Sequence, residues 1–281
     1  MSDESTDEKI KRVLETNNQN RLEVLTLLKD DMKFKEECRV ESDKLFEDLM
    51  KALEAESSDE FFKMYKHYFD AVNLFYVDLI YGARINPFHR PFDFNEAVVR
   101  LRNTTQNAER VGERIDWLHN MFHTRTLSLD DVRSLIELYS LMYEDICYVD
   151  LRPIAQNLIK NQKMTLSSHL QKYQSMDELK KISNGDAIDA LSNCYKNGAY
   201  KMLFEVLRNT FRNPEGHKSY DLDAKNLSIN FINKNKIETW NFTTFALEVI
   251  RLFFLYAAFD AIGTQIKFRL TENLEKNRNN I

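Results

Sequence analysis

Apolar residues recur at helical spacing along most of this chain, and the interruptions mark its elements. Leu14, Leu22, Leu25, Leu28, Phe34, Leu45, Phe46 and Leu49 follow a loose helical period in the first fifty-odd residues. Ser57-Ser58-Asp59-Glu60 reads as a cap, and it predicts an aromatic-rich helix from Phe61 to Tyr81. Gly82, Asn86-Pro87 and Arg90-Pro91 break that pattern, and helical spacing resumes from Asn95 to Phe122. Ser128-Leu129-Asp130-Asp131 starts a helix that should run to about Cys147 and be closed by Arg152-Pro153. Another is predicted from Asp186 through Arg212, with Ile188, Leu191, Tyr195, Ala199, Met202, Leu203, Val206 and Leu207 on one broad face and Pro214 and Gly216 as its stop. Between Tyr220 and Trp240 the period changes to two: Leu227 to Ile232 alternates, Asn233 to Lys236 is a polar turn, and Ile237 follows, which predicts a short hairpin. The last helix spans about Phe242 to Lys276.

Composition supports that reading. Six glycines and four prolines in 281 residues are too few for a turn-dense sandwich or barrel, while 43% hydrophobic and 12% aromatic residues are enough for a packed core. The expected class is all-α with a short β-hairpin-like insertion. A break near 123–128 divides the chain into a helical region over 1–125, whose role the sequence does not specify, and a helical domain over 126–281.

Cys38, Cys147 and Cys194 are odd in number and widely spaced, so they are expected to be reduced thiols of a cytoplasmic protein. The opening MSDESTDEKIKR is acidic and predicts no secretory leader. Phe245 to Ile262 is the most apolar stretch, yet it carries Glu248, Arg251 and Asp260, which favours a buried helix over a membrane span. Through residue 60 the chain has ten Lys/Arg against eighteen acids, a solvated acidic face or a protein-docking one.

Most familiar chemistry is missing: no Walker loop, dinucleotide fingerprint or nucleophile elbow is present. His119 and His123 stand at i, i+4 but lack the glutamate of a zinc-protease motif, so they read as a chance pair, and His67, His89 and His169 stand alone. No metal or cofactor is expected. LRNTTQNAER (101–110) and LRNTFRNPEG (207–216) share six of ten positions, but their flanks do not match, which is coincidence rather than duplication.

The segment Val206 to His217 carries two Arg-Asn pairs and then a histidine. Here the chain resembles the HEPN superfamily of helical proteins, many of them metal-independent endoribonucleases of defence and toxin systems. Their signature is Arg, a polar residue, a short spacer and His. Arg212-Asn213-(Pro-Glu-Gly)-His217 fits that spacing, and the resemblance covers about residues 126–281. A second register also fits: Leu207-Arg208-Asn209-Thr210-Phe211 places hydrophobic residues before and three positions after the Arg, and it puts Asn213 where the His belongs. Arg114 to His119 repeats the spacing without the polar second residue. The resemblance implies Arg212, Asn213 and His217 as catalytic, with Arg208, Asn209, Lys218 and Tyr220 binding RNA, possibly tRNA. It also implies a homodimer that brings two motifs into one cleft, and a regulatory or antitoxin protein as partner.

Elementary chemistry says what such residues must do. Metal-free RNA cleavage takes a proton from a 2′-hydroxyl and gives one to the leaving oxygen, and imidazole does both near neutral pH. A guanidinium meets two phosphoryl oxygens as charge builds on them. On an unbroken helix, i and i+5 point about 140° apart, so Arg212 and His217 converge only if the helix stops at Pro214 or Gly216. Lys196 to Lys236 holds eight Lys/Arg against four acids in a chain of net charge −5, a basic island suited to a phosphate backbone or an ordinary mixed surface. In the C-terminal helix, Phe245, Leu252, Phe253, Leu255 and Phe259 serve either as a dimer interface or as core. Two other readings stay open: a HEPN-like module without catalysis, and an unrelated helical interaction protein in which Arg212 and His217 cap a helix end.

Overall fold

In the computed structural model the residues described are 59–88, 128–211, 220–233 and 236–278. All belong to one compact unit that begins at Leu53. The protein is mostly helical, with one small antiparallel sheet. The elements are α1 (Asp59–Val77), α2 (Leu129–Ile146), α3 (Arg152–Lys160), α4 (Met176–Lys180), α5 (Asn184–Asp189), α6 (Lys201–Phe204), β1 (Tyr220–Asp223), β2 (Ser228–Asn233), β3 (Lys236–Asn241) and α7 (Phe242–Arg278).

The long helices form where the period predicted them. α2 starts on Ser128, whose Oγ accepts from the Asp131 N–H at 3.1 Å while Asp131 Oδ2 accepts from the Ser128 N–H at 2.8 Å, a reciprocal cap. α7 packs against both α1 and α2. Phe75 of α1 is the hub on one side, with Tyr200, Phe204 and Phe259 edge-on to it at 5.0, 5.5 and 6.4 Å. Tyr139, Tyr143, Phe245 and Leu252 fill the other side, all fully buried. Each such side chain stabilises the fold by about 1.5–3 kcal/mol.

α7 therefore uses its apolar face at home. Phe245, Leu252, Leu255 and Phe259 are buried in the protein's own core, and Phe253 is half-buried, so the core reading of this helix holds for four of the five.

The hairpin is present as β2 and β3, with Asn233 opposite Lys236 and Ile232 opposite Ile237. β1 adds a third strand that the sequence pattern did not reveal, pairing Tyr220 with Phe231 and Leu222 with Ile229. The inner face of the sheet, through Ile229, Phe231 and Trp240, covers Phe211 and Phe245; the Phe211 and Phe231 rings are 4.5 Å apart.

Two helix expectations fail. Arg152-Pro153 does not close α2; the chain passes through a π turn, Cys147–Leu151, and continues as α3 with proline in its first turn. The wide turn, in which the Arg152 N–H donates to the Cys147 carbonyl, relieves the clash a proline ring makes with the carbonyl four residues back. The single helix from Asp186 to Arg212 is also broken. After α5 and a π turn (Ala190–Cys194), Lys196, Asn197 and Gly198 take φ of 49°, 55° and 81°, left-handed values that reverse the chain. α6 follows, and then a 3-10 turn at Asn209–Phe211. Tyr195, Leu203, Val206 and Leu207 remain buried across the break, while Met202 is 73% exposed.

Candidate functional site

One face of α2 grips the Arg-Asn segment. The Tyr139 hydroxyl donates to the Val206 carbonyl and accepts from the Arg208 N–H at 2.7 Å. Burial drives this phenol far above its ordinary pKa, so it stays protonated and remains a donor. One position along, Ser140 Oγ donates to the Phe211 carbonyl at 3.3 Å, and on the next turn the Tyr143 hydroxyl donates to Asn209 Oδ1. Leu207 and Phe211 are buried on either side of Arg208 and Asn209. The backbone from 206 to 211 is thus held by Tyr139 and Ser140, and the Asn209 side chain by Tyr143, which shares a helix face with Tyr139.

With its backbone pinned, Arg208 sends its guanidinium over the ring of Trp240, 5.0 Å from the centroid. Among the described residues the closest carboxylate oxygen is Glu238 Oε1, 3.7 Å from Nη1, beyond hydrogen-bond length. That same oxygen accepts from Trp240 Nε1 at 2.8 Å. Arg208 Nε is buried without a partner, and the guanidinium makes no hydrogen bond among the described residues, although its side chain is 41% exposed. The Asn209 amide lies close to Gly185 of α5: a Cβ there would stand 2.6 Å from its Nδ2 and would require the amide to shift.

Tyr220 is half-buried and packed against the core. Its cross-strand partner is Phe231, whose ring touches that of Phe211. Phe211 and Tyr220 thus both lie beside Phe231. Arg212, Asn213, His217 and Lys218 lie outside the described residues, as do Cys38, His89, Arg114, His119 and His123. Of the two described histidines, His67 is exposed and edge-on to Tyr68. His169 contacts Ser167 Oγ at 3.2 Å and Asp189 at 2.9 Å, a surface arrangement. No group of His, Cys, Asp or Glu able to hold a metal occurs among the described residues. Cys147 and Cys194 form no disulfide. No described helix is long and apolar enough to cross a membrane.

The sequence did not single out Glu238, Trp240 or Gly185. Glu238 and Trp240 share the inner face of β3 by strand alternation, a legible signal, but nothing local says that the face meets Arg208.

A second basic cluster lies at the π turn that ends α1 (Asp78–Gly82). Lys196 Nζ is 3.0 Å from Asp78 Oδ1, and the Tyr200 hydroxyl donates to Asp78 Oδ2 at 2.5 Å. The Tyr200 bond, followed by Lys196, holds the Asp78 carboxyl below its usual range against its desolvation. Burial, then Asp78, pushes the Tyr195 phenol up to about 12. This clasp holds the left-handed turn against α1.

Comparison of the chain with known protein families, curated proteins and solved structures finds no match.

Proposed function

We propose that the 208–218 segment is an RNA-phosphate site and that the protein is a metal-independent, HEPN-like endoribonuclease of a defence or toxin system. The observation that carries this reading is Arg208: a guanidinium oriented by a pinned backbone and an indole, partly exposed, with no hydrogen bond to its donors among the described residues. An arginine left in that state suits a phosphate, which meets two N–H groups at once. Sequence proximity supports the rest, because Arg212, Asn213 and His217 follow Arg208 and Asn209 within nine residues. In the proposed reaction His217 exchanges protons with the 2′-hydroxyl or the leaving oxygen, Arg212 or Arg208 steadies the phosphoryl oxygens, and Asn213 or Asn209 orients them. One motif histidine per chain calls for a second copy to complete the acid-base pair, hence a homodimer.

The test uses wild type, Arg208→Ala and His217→Ala on end-labelled total tRNA with excess chelator. Wild-type cleavage should survive the chelator and fall by about a hundred-fold or more in each variant. Cleavage that persists without His217 would refute the site.

A second reading has its own support. Leu207 and Phe211, both buried around Arg208, match the hydrophobic frame of the register in which Asn213 replaces the histidine. On that reading the domain binds RNA or a regulatory partner without cutting. Wild type that binds tRNA through Arg208 but never cleaves it would decide for this version.

A further inference from the structure

Among the described residues, Glu238 is the one carboxylate placed against the Arg208 guanidinium, and its position is held. The oxygen that faces Arg208 Nη1 at 3.7 Å is the oxygen that accepts from Trp240 Nε1 at 2.8 Å. Trp240 thus supports both partners: its ring carries the guanidinium and its N–H retains the carboxylate. The carboxylate is retained by the indole and stands 3.7 Å from Arg208 Nη1, beyond hydrogen-bond length. The approach is electrostatic only, and it leaves the guanidinium N–H groups unmet among the described residues while cancelling part of the charge.

We infer that Glu238 is a built-in competitor for the phosphate seat on Arg208, one that sets the threshold a ligand must exceed to bind. The inference rests on the reading of Arg208 as an RNA-phosphate site. A phosphate that approaches Arg208 accepts two N–H bonds and displaces Glu238, which offers none. Because Arg208 is positioned by Tyr139 and the indole, it does not need Glu238 to keep its place. A single small anion gains little over the resident carboxylate, whereas an RNA strand gains at several phosphates together and overcomes it. A strand of many phosphates, RNA on the reading above, is the ligand class this arrangement favours over a lone small anion.

The experiment measures the affinity of a short labelled single-stranded RNA for the full chain at low salt. Glu238→Gln keeps size and a hydrogen-bond acceptor for Trp240, and should tighten binding about two- to five-fold, the range of a half-exposed ion pair. Glu205→Gln makes the same charge change on an exposed side chain of the same basic segment, and should leave affinity unaltered. In an Arg208→Ala background, which itself binds more weakly, Glu238→Gln should add nothing. Unchanged or weaker binding by Glu238→Gln, an equal gain from Glu205→Gln, or a gain that persists without Arg208 would overturn the inference. If Arg208→Ala weakens binding but Glu238→Gln does not tighten it, Glu238 alone is misread and the phosphate site stands. If Arg208→Ala binds like wild type, both readings fall.

Discussion

Lys196 and Arg208 each lie beside a carboxylate and an aromatic group, yet the two basic residues are met very differently. Lys196 closes to 3.0 Å on Asp78, whose second oxygen takes the Tyr200 hydroxyl, so the carboxylate is met on both oxygens. Arg208 has a ring beneath it and a carboxylate at 3.7 Å, but its guanidinium makes no hydrogen bond among the described residues. A closed set of partners makes a clamp, because any rearrangement breaks bonds already formed. An arranged but open set makes a seat, since its orientation is fixed in advance and its bonds are left for a ligand. The two clusters use similar groups, but the Asp78 carboxylate is met on both oxygens while the Arg208 guanidinium bonds none of the described residues.

The sharpest way to break this comparison is to remove the clamp. Asp78→Ala leaves the Tyr200 hydroxyl with only its 3.4 Å bond to the Leu74 carbonyl and frees the left-handed turn, and should lower stability by about 2 kcal/mol, read as a shift in the urea unfolding midpoint. Stability equal to wild type would mean the clasp is decoration.

Acid should act on the same group more gently. The folded Asp78 pKa lies below its ordinary 3.8, so its contribution is present above that value and is lost as pH falls through the folded one. Thermal midpoints measured below about pH 4 should therefore fall more steeply in wild type than in Asp78→Asn. Parallel curves would place the acid sensitivity elsewhere.

The smallest effect is expected at the seat itself. Arg208→Ala removes a half-exposed side chain with one long ion pair, and should change stability by at most about 1 kcal/mol while weakening RNA binding. A large loss of stability would show that Arg208 belongs with the clamp after all.

The sequence made the long elements legible because their signals are local. Ser128 and Asp131 announce the start of α2, apolar period carries α1 and α7, and alternation marks β2 and β3. The false helix from Asp186 to Arg212 had a specific cause: Tyr195, Leu203, Val206 and Leu207 keep helical spacing although the chain reverses between them. They do so because each short piece packs on the same core. Asn197-Gly198 was the available warning, a dipeptide that favours left-handed φ. Pro153 misled in the opposite direction, since a π turn allowed the helical path to continue past it. For the site, Arg208 and Asn209 were visible as a motif. Their supports were not, because Tyr139, Tyr143, Gly185, Glu238 and Trp240 reach them from other elements and only the folded chain brings them together.

The π turn at Cys147–Leu151 has a consequence for how this chain can gain or lose residues. A π turn holds one residue more than an α turn, so it is equivalent to a single inserted amino acid absorbed without rotating the helix beyond it. Deleting one residue there would ordinarily restore a plain α-helix through Arg152 and leave α3 facing the same neighbours. Here Pro153 stands in the way, because a regular α turn would bring its ring against the carbonyl four positions earlier. The insertion and the proline are therefore coupled, and neither is free to revert while the other remains.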